Sequence, residues 1–439
     1  MNMIELFEQF GYSKEDHCEN KDIDYFTILQ SRGSHKKWIP NKGKAEPCYV
    51  LECSEGSFFF QTSYFVGIDW IVEGQLSIYV QPKQNKDDIE VDYIGMLLEA
   101  LQEPENLNYI EGLVHIEFDK PYVPITQKQD LLSPFLVAQF LQVLKKIVQK
   151  GLKKSYYTVT DNLNARVKGK ILVGRNIKEN LIKGRQVHTI CQYLEFGINS
   201  EENQILKKAY QFSRCFIQQN KNKIDFQSLL QLINYIHPAF ETVSEDIDIH
   251  KLKKIKSNPL FKEYDIAIKL ASLILKRFSY NITKTEQEQI ITPPFWIDMS
   301  KLFELYVYKK LRSVFSSDEV VYHVRARQNQ ELDFLLKSQN RESLFVIDTK
   351  YKPRYREHSI SLEDIRQLSG YARLEKVYDR LSIPFNQNIN CLVIYSHQDC
   401  DKLFETEHFI YDETNSNKRI QKEKGYVDFY KLGIKLPVI

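Results

Sequence analysis

The sequence predicts an α+β, multidomain chain with a β-rich N-terminal domain, a mainly helical middle region, and a C-terminal α/β domain around a central mixed sheet. Three observations lead there. At 439 residues the chain is long for one hydrophobic core and fits two or three domains, of which we expect three. Residues 47–82 are dense in aromatic and β-branched side chains with glycines between them. After Pro293-Pro294 the pattern changes to helix, three strands, helix, strand. The expected boundaries are 1–130, 131–290 and 291–439. A composition of 43% hydrophobic and 27% charged residues supplies an ordinary globular core, so disorder is not expected.

In the first segment, "PCYVLECSEGSFFFQTSYFVGIDWIVEGQLSIYVQPK" reads as three or four short strands turned at Gly56, Gly67 and Gly74. The preceding "SRGSHKKWIPNKGK", with five cations, two glycines and a proline, reads as an exposed loop. A helix then starts at "SPFLVAQFLQVLKKIVQKG", where Ser133 can cap, Pro134 suits the first turn and Gly151 the stop. Helices follow at "EENQILKKAYQFSRCFIQQ", "DFQSLLQLINYI" and "YDIAIKLASLILKRF". The C-terminal domain opens with the helix "MSKLFELYVYKKLRSVF" and continues through strands at "VVYHVRA", "ELDFLLK" and "LFVIDTK". A helix at "SLEDIRQLSGYARLEKVY" and a strand at "NCLVIYS" complete it.

Several function classes lack their signatures. Seven scattered cysteines without a C-x-x-C point to reduced thiols and against a zinc site or a disulfide framework. The acidic N-terminus and the absence of an apolar run of about 18 residues predict a soluble, cytoplasmic protein with no membrane partner. There is no G-x-x-x-x-G-K-[ST], G-x-G-x-x-G or H-E-x-x-H, so any nucleotide hydrolysis is expected from another chain. The net charge of +2 conceals a division: ten Asp or Glu and no Lys or Arg between Asp87 and Asp119, then twelve cations against two acids between Lys145 and Arg185. Such asymmetry suggests one surface for a polyanion and another for a different partner; two unrelated solvated faces would give the same pattern.

The chemistry concentrates at "LFVIDTKYKPRYR", an apolar strand that ends in a carboxylate and a lysine. Asp333 in "ELDFLLK" lies fifteen residues before Asp348, with a polar turn between, so a hairpin can bring the two acids together. Two like charges in a partly buried place call for a cation, and Mg²⁺, with Mn²⁺ as a substitute, takes carboxylate oxygens while keeping sites for water and phosphate. Lys350, two positions beyond Asp348 on the same strand face, would stabilise charge on a phosphorane-like transition state. Glu304, in the apolar setting "LFELYV", would supply a third metal ligand or bind a metal-bound water. Gln367 and Tyr371, four apart on one helix face, could contact the scissile strand or brace the site. Lys352, Arg354, Arg356, Arg366 and Arg373 form a cationic cluster with tyrosines between them, suited to DNA phosphates and bases. The spacing alone is weak evidence, and Asp348 with Lys350 would also suit a plain strand-end ion pair. His323, His358 and His397 have no partner at metal-ligand spacing and read as satisfied or solvated.

This order of elements resembles the PD-(D/E)XK nuclease superfamily, and Gln367-x-x-x-Tyr371 resembles the helical motif of its RecB-like branch. "RVKGKILVGRNIKENLIKGRQVHTICQYLEFGINSEENQILKKAY" and "YFVGIDWIVEGQLSIYVQPK" are similar to segments of the McrC family. That resemblance implies a Mg²⁺-dependent endonuclease subunit acting on double-stranded DNA. Its partner would be McrB, a ring-forming AAA+ GTPase whose GTP hydrolysis it stimulates. Asp333, Asp348 and Lys350 would inherit the nuclease role, and the first 45 residues match nothing in the family. The basic stretch, including Lys168, Lys170 and Arg175, would cover DNA or seat the ring, and "SRGSHKKWIPNKGK" would be a finger into its pore. The acidic segment would turn away from DNA by repulsion from phosphates. The competing reading is a regulatory, GTPase-activating DNA-binding subunit with little nuclease activity; a stand-alone exonuclease is disfavoured by the dedicated N-terminal half.

Overall fold

The structure is a computed structural model that describes residues 2–11, 23–39, 47–54, 57–82, 91–103, 105–106, 109–110, 112–126, 132–219, 227–245, 262–283, 289–325, 331–338, 344–352, 359–397, 409 and 420–438. The chain divides into two compact units, where the sequence suggests three segments. One comprises Met1–Phe135, Lys223–Ser228 and Glu288–Ile439; the other comprises Leu136–Asn222 and Leu229–Gln287.

The first unit starts with three elements that the sequence reading left unassigned: β1 (Asn2–Phe7), α1 (Ile23–Arg32) and β2 (His35–Lys37). The aromatic stretch then yields four strands, β3 (Tyr49–Ser54), β4 (Ser57–Thr62), β5 (Phe65–Val72) and β6 (Leu76–Gln81). Strands β2, β3 and β4 form a small antiparallel sheet. The run "SRGSHKKWIPNKGK" is therefore not simply an exposed loop: Ser31 and Arg32 close α1, and Lys37 is buried at the end of β2. The Lys37 ammonium lies 2.6 Å from Asp69 and 2.7 Å from Glu117, while Lys120 lies 2.8 Å from Glu117. A buried lysine needs such partners to offset its desolvation. Burial pushes the Glu117 carboxyl up, but the hydrogen bonds from Lys120 and Lys37 outweigh it and hold the group below its usual range. Trp38 remains half exposed, and residues 40–46 lie outside the described residues.

The acidic segment contributes α2 (Tyr93–Ala100) and β7 (Val114–Ile116), and β8 (Val123–Thr126) follows it. Rather than presenting a free anionic face, several of its acids pair within the unit, Glu117 in the cluster above and three more against the helix that carries Glu304.

Most of the second unit's elements are helical: α3 (Leu132–Lys150), α5 (Glu201–Gln219), α6 (Gln227–Phe240) and α7 (Lys262–Thr283), all four read from the sequence. Helix α3 ends at Gly151, whose φ of +86° suits a residue without a side chain. Between α3 and α5, a stretch in which no element is expected from the sequence, stands a β arm. Its long antiparallel pair β9 (Ser155–Asn164) and β11 (His188–Gly197) runs from Ser155 opposite Gly197 to Asn164 opposite His188. The short β10 (Lys170–Ile171) pairs with β11, and the helical turn α4 (Val173–Asn176) leads into a π-turn over Ile177–Leu181. Gly169 is required at the β10 approach, because a Cβ there would come within 2.5 Å of the Gln192 carbonyl oxygen. Buried Asn180 ties the tip together, donating to Asn162 Oδ1 at 2.8 Å, Asn176 Oδ1 at 2.7 Å and the His188 carbonyl at 3.1 Å.

The last segment returns to the first unit through β12 (Gln289–Thr292), paired with β8, and β13 (Phe295–Asp298). Strand β13 lies between β5 and β7, giving a five-stranded sheet in the order β1-β6-β5-β13-β7. Every residue of β13 is buried, and it fits because Gly67 faces it: a Cβ at Gly67 would stand 2.0 Å from the Phe295 carbonyl oxygen. Asp298 ends β13 and caps α8 (Met299–Arg312), accepting from the Lys301 amide at 3.0 Å. Helix α8 packs on α2, where Lys310 pairs with Glu99, Tyr308 donates to Glu105, and Arg312 lies 3.8 Å from Glu103. Fully buried Asn106 bridges the two helices, donating to the carbonyls of Ala100 at 2.7 Å and Leu305 at 2.9 Å.

Beyond α8 come β14 (Val320–Arg325), β15 (Glu331–Lys337), β16 (Leu344–Lys350), α9 (Leu362–Tyr371), α10 (Glu375–Leu381), β17 (Asn390–Ser396), β18 (Gln421–Lys422) and β19 (Phe429–Ile434). The sheet order is β14-β15-β16-β17-β19-β18. The β14–β15, β15–β16 and β18–β19 pairs are antiparallel, whereas β16–β17 and β17–β19 are parallel. Val346, Val393 and Tyr395 meet Ile365, Leu368, Val377 and Tyr378 of α9 and α10 in one core. This mixed sheet with helices agrees with the predicted α+β character.

Asn106→Ala removes a buried donor from the carbonyls of Ala100 and Leu305 and with it the bridge between the helices, and should lower the stability of the first unit by about 2 kcal/mol. Urea unfolding followed by tryptophan fluorescence should show the lower midpoint; an unchanged midpoint would mean that Asn106 does not hold α2 to α8.

Candidate active site

The site forms where three strands of the C-terminal sheet end beside α8 and α9. Strand β16 is apolar through Ile347 because it is central, flanked by β15 and β17 and buried over six of its seven residues. Its last ladder pair with β15 is Ile347 with Phe334. One step further the register sets Asp348 against Asp333, so the expected hairpin does bring the two carboxylates to one strand end. Asp333 Oδ2 accepts from both the amide and the hydroxyl of Thr349, each at 2.7 Å. Burial pushes Asp333 up to about 7, with the Glu304 charge adding to it against the bonds from Thr349. Burial likewise raises Asp348 to about 7, and the neighbouring Asp333 charge adds to it.

Lys350 shares the strand face of Asp348, as the two-residue spacing requires. Its ammonium lies 2.8 Å from Asp348 Oδ2 and 3.6 Å from Asp364 Oδ1, and donates to Gln367 Oε1 at 3.3 Å. Burial disfavours its charged form, but Asp348 and Asp364 outweigh this and raise the lysine above its usual range, so it is an ammonium at neutral pH. Gln367 in turn donates to the Tyr371 hydroxyl at 3.0 Å. The two residues therefore brace the lysine, which is one of the two roles expected of them. Asp364, absent from the sequence-derived set, also holds Lys352 at 3.0 Å. Its signal was available: Ser361 caps α9, which puts Asp364 in the first turn beside the strand end.

The third expected acid is placed differently. Glu304 Oε1 lies 2.9 Å from His323 Nε2, and His323 Nδ1 lies 2.7 Å from Glu331. Burial lowers the His323 pKa, but Glu304 and Glu331 outweigh it and the net shift is upward. Among the described residues, no group of three or more His, Cys, Asp or Glu side chains has an arrangement that could hold a metal ion. The two strand-end carboxylates nevertheless fit a cation. They share one strand end, both are raised by burial and by like charge, and the Lys350 ammonium 2.8 Å from Asp348 Oδ2 is one cation beside two acids. Asp333 and Asp348 are thus the residues that could hold one, with Glu304 turned to histidine.

Of the expected DNA contacts, Lys352 and exposed Arg366 flank the site, whereas Arg354 and Arg356 lie outside the described residues. Arg373 donates to the Tyr378 hydroxyl at 3.1 Å. Lys168, Lys170 and Arg175 belong to the arm of the second unit; Lys168 sits over the Tyr193 ring at 3.9 Å, and Arg175 pairs with Glu179 at 2.9 Å. Two residues just beyond β1, which no sequence signal connects to the site, grip the end of β16. Tyr351 donates to Glu8 at 2.8 Å, and Gln9 donates to the Tyr351 carbonyl at 3.0 Å.

The family model described as McrBC 5-methylcytosine restriction system component matches residues 61–381. No curated protein matches the sequence. Two solved structures are similar to this chain at 15% identity. One is a refined half-complex from a tetradecameric assembly of Thermococcus gammatolerans McrB AAA+ hexamers with bound McrC, with 99% of this chain and 94% of that one covered and a TM-score of 0.38. The other is a Thermococcus gammatolerans McrBC complex, with 71% of this chain and 87% of that one covered and a TM-score of 0.28. No helix among the described residues is long and apolar enough to cross a membrane.

Because Asp333 and Asp348 are both raised to about 7, each stabilises the fold when protonated, fully below pH 4 or so, and this contribution is lost as pH rises through 7. In chelator, thermal unfolding should therefore occur at a lower temperature at pH 8 than at pH 6. Added Mg²⁺ should restore the difference at pH 8, and Asp348→Asn should abolish that response; an equal Mg²⁺ effect in the variant would place cation binding elsewhere.

Proposed function

Since the chain belongs to the family of McrBC 5-methylcytosine restriction system components, we propose that it is the McrC-type endonuclease subunit of such a system, hydrolysing DNA phosphodiesters with Mg²⁺ at Asp333 and Asp348. The observation that carries this is the pairing of two carboxylates, Asp348 buried and Asp333 partly buried, beside a fixed ammonium at one strand end. The order of helix, three antiparallel strands, helix and parallel strand around them supports a PD-(D/E)XK-type domain. A divalent ion bound by the two acids supplies a Lewis acid for a phosphodiester oxygen and an acidified water. Lys350, held by Asp348 and Gln367, stabilises negative charge that develops on the phosphate. Gln367 and Tyr371 keep that ammonium from swinging to solvent, and Lys352 and Arg366 attract the DNA backbone.

The partner in this reading is a McrB-like AAA+ GTPase ring, engaged through the arm of the second unit. Tyr156, Leu194 and Phe196 on its strands and Leu181, Ile182 and Val187 near its tip are all more than half exposed. A surface of that kind marks a binding site more often than a solvated loop. Of the two roles expected for the basic stretch, this favours seating the partner over covering DNA. The N-terminal finger is correspondingly disfavoured, because Lys37 is buried in its own charge cluster.

Cleavage of methylated plasmid by the full chain with the partner ATPase, GTP and Mg²⁺ tests both halves. Asp348→Ala and Lys350→Met should each lower cleavage by about 100-fold or more while GTP hydrolysis persists. Cleavage at the wild-type rate in Asp348→Ala would move the chemistry away from this strand end, and strong GTPase stimulation without cleavage by the wild type would favour the regulatory reading. Leu181→Ser with Ile182→Ser should weaken ring association in size-exclusion chromatography without shifting the melting temperature; undiminished association would clear the arm of that role.

A further inference from the structure

His323 adopts a backbone conformation that its position does not explain. It lies within β14, yet its φ is +53°, in the left-handed region that a non-glycine residue enters only at a cost. The ladder with β15 shows the consequence. Tyr322 pairs with Phe334 and Val324 with Leu332, so the register sets His323 against Asp333, but that pair is missing from the ladder. The backbone gives up regular pairing at the position that faces Asp333, one of the two site carboxylates.

The ring has a close neighbour on each side. Each nitrogen faces an acid, Glu304 at 2.9 Å and Glu331 at 2.7 Å. Tyr109 stacks on it with centroids 5.2 Å apart and planes at 13°, and Tyr322 meets it edge-on at 4.0 Å. A strand-surface ion pair needs none of this; a rotamer change from an extended backbone would suffice. The unusual backbone instead aims the imidazole back at α8, where Glu304 lies close enough for its charge to act on Asp333 without joining Asp333 and Asp348 in a three-acid cluster.

We infer that His323 is a positioning residue that holds the Glu304 carboxylate away from the Asp333–Asp348 pair, so that a divalent cation meets two carboxylates there instead of three. The inference rests on the nuclease reading of that pair. Release of His323 would let Glu304 swing to the cation, and Tyr109, which precedes β7 in the N-terminal half, is the contact through which such release would be made.

Mn²⁺ binding to the full chain, measured by calorimetry and by electron paramagnetic resonance of the free ion, provides the test. Asn tolerates the left-handed backbone but is too short to bridge both acids, so His323→Asn is the variant of choice. It should bind Mn²⁺ about tenfold more tightly than wild type, and the double variant with Glu304→Gln should return to the wild-type value. Glu304→Gln alone should change affinity by no more than about threefold, since its carboxylate is not on the ion. Unchanged or weaker binding by a folded His323→Asn would overturn the inference, and so would a tenfold loss in Glu304→Gln, which decides the matter even if His323→Asn does not fold. Asp348→Ala in the same series separates the two levels: it should abolish binding, and if it does not, the metal site itself is wrong and the role of His323 falls with it.

Discussion

Two carboxylates placed at the dry end of one β-ladder create a charge problem that the surrounding structure answers. Asp333 is met by both donors of Thr349, Asp348 by Lys350, and Lys350 by Asp364 and Gln367. Lys352 completes the sequence on Asp364, and His323 takes up Glu304 and Glu331. Among these described residues five carboxylates stand against two ammonium groups and one imidazole, leaving a surplus of two negative charges when all are ionised. At its partly buried centre that surplus favours protonation, as in the raised carboxyls, and in the proposed reading a divalent cation takes the place of the protons.

The C-terminal sheet was legible because its central strand is a continuous apolar run and its helices have clear caps, as at Ser361 and Asp298. Asp333, Asp348, Lys350, Gln367 and Tyr371 follow from strand and helix periodicity once those elements are assigned. Three kinds of feature were not legible. The arm strand β9 faces solvent along most of its length, and its alternation of Tyr157, Val159 and Leu163 with polar residues is interrupted at Asp161 and too short to mark a half-buried strand. Lys37 looks like part of an exposed basic loop until Asp69 and Glu117, far along the chain, are placed around it. The His323 contacts depend on a positive φ in a strand, for which residue identity gives no signal.

Segment charge proved a poor guide for the same reason. The run from Asp87 to Asp119 looks like an anionic surface, but Glu99, Glu103 and Glu105 face Lys310, Arg312 and Tyr308 on α8, and Glu117 lies between two lysines. An apparent excess that is paired across about two hundred residues of sequence exerts little field outside the molecule. The cations between Lys145 and Arg185 differ, since many lie on an exposed arm with large apolar side chains among them.

The division of the chain carries a further consequence for its synthesis. The unit that holds the strand-end acids is assembled from both ends of the sequence, with the other unit's residues interposed. Strand β16 needs β17, which needs β19, and the residue after Lys350 is gripped by Glu8 and Gln9. A ribosome that has translated Asp348 and Lys350 has therefore supplied β15 on one side of them but not yet β17 on the other, and a fragment beginning after Gln9 lacks the grip on Tyr351. A truncated product carries Asp348 and Lys350 without the enclosure that raises the carboxyl pKa and fixes the ammonium, so the complete strand end exists only in chains translated through β19.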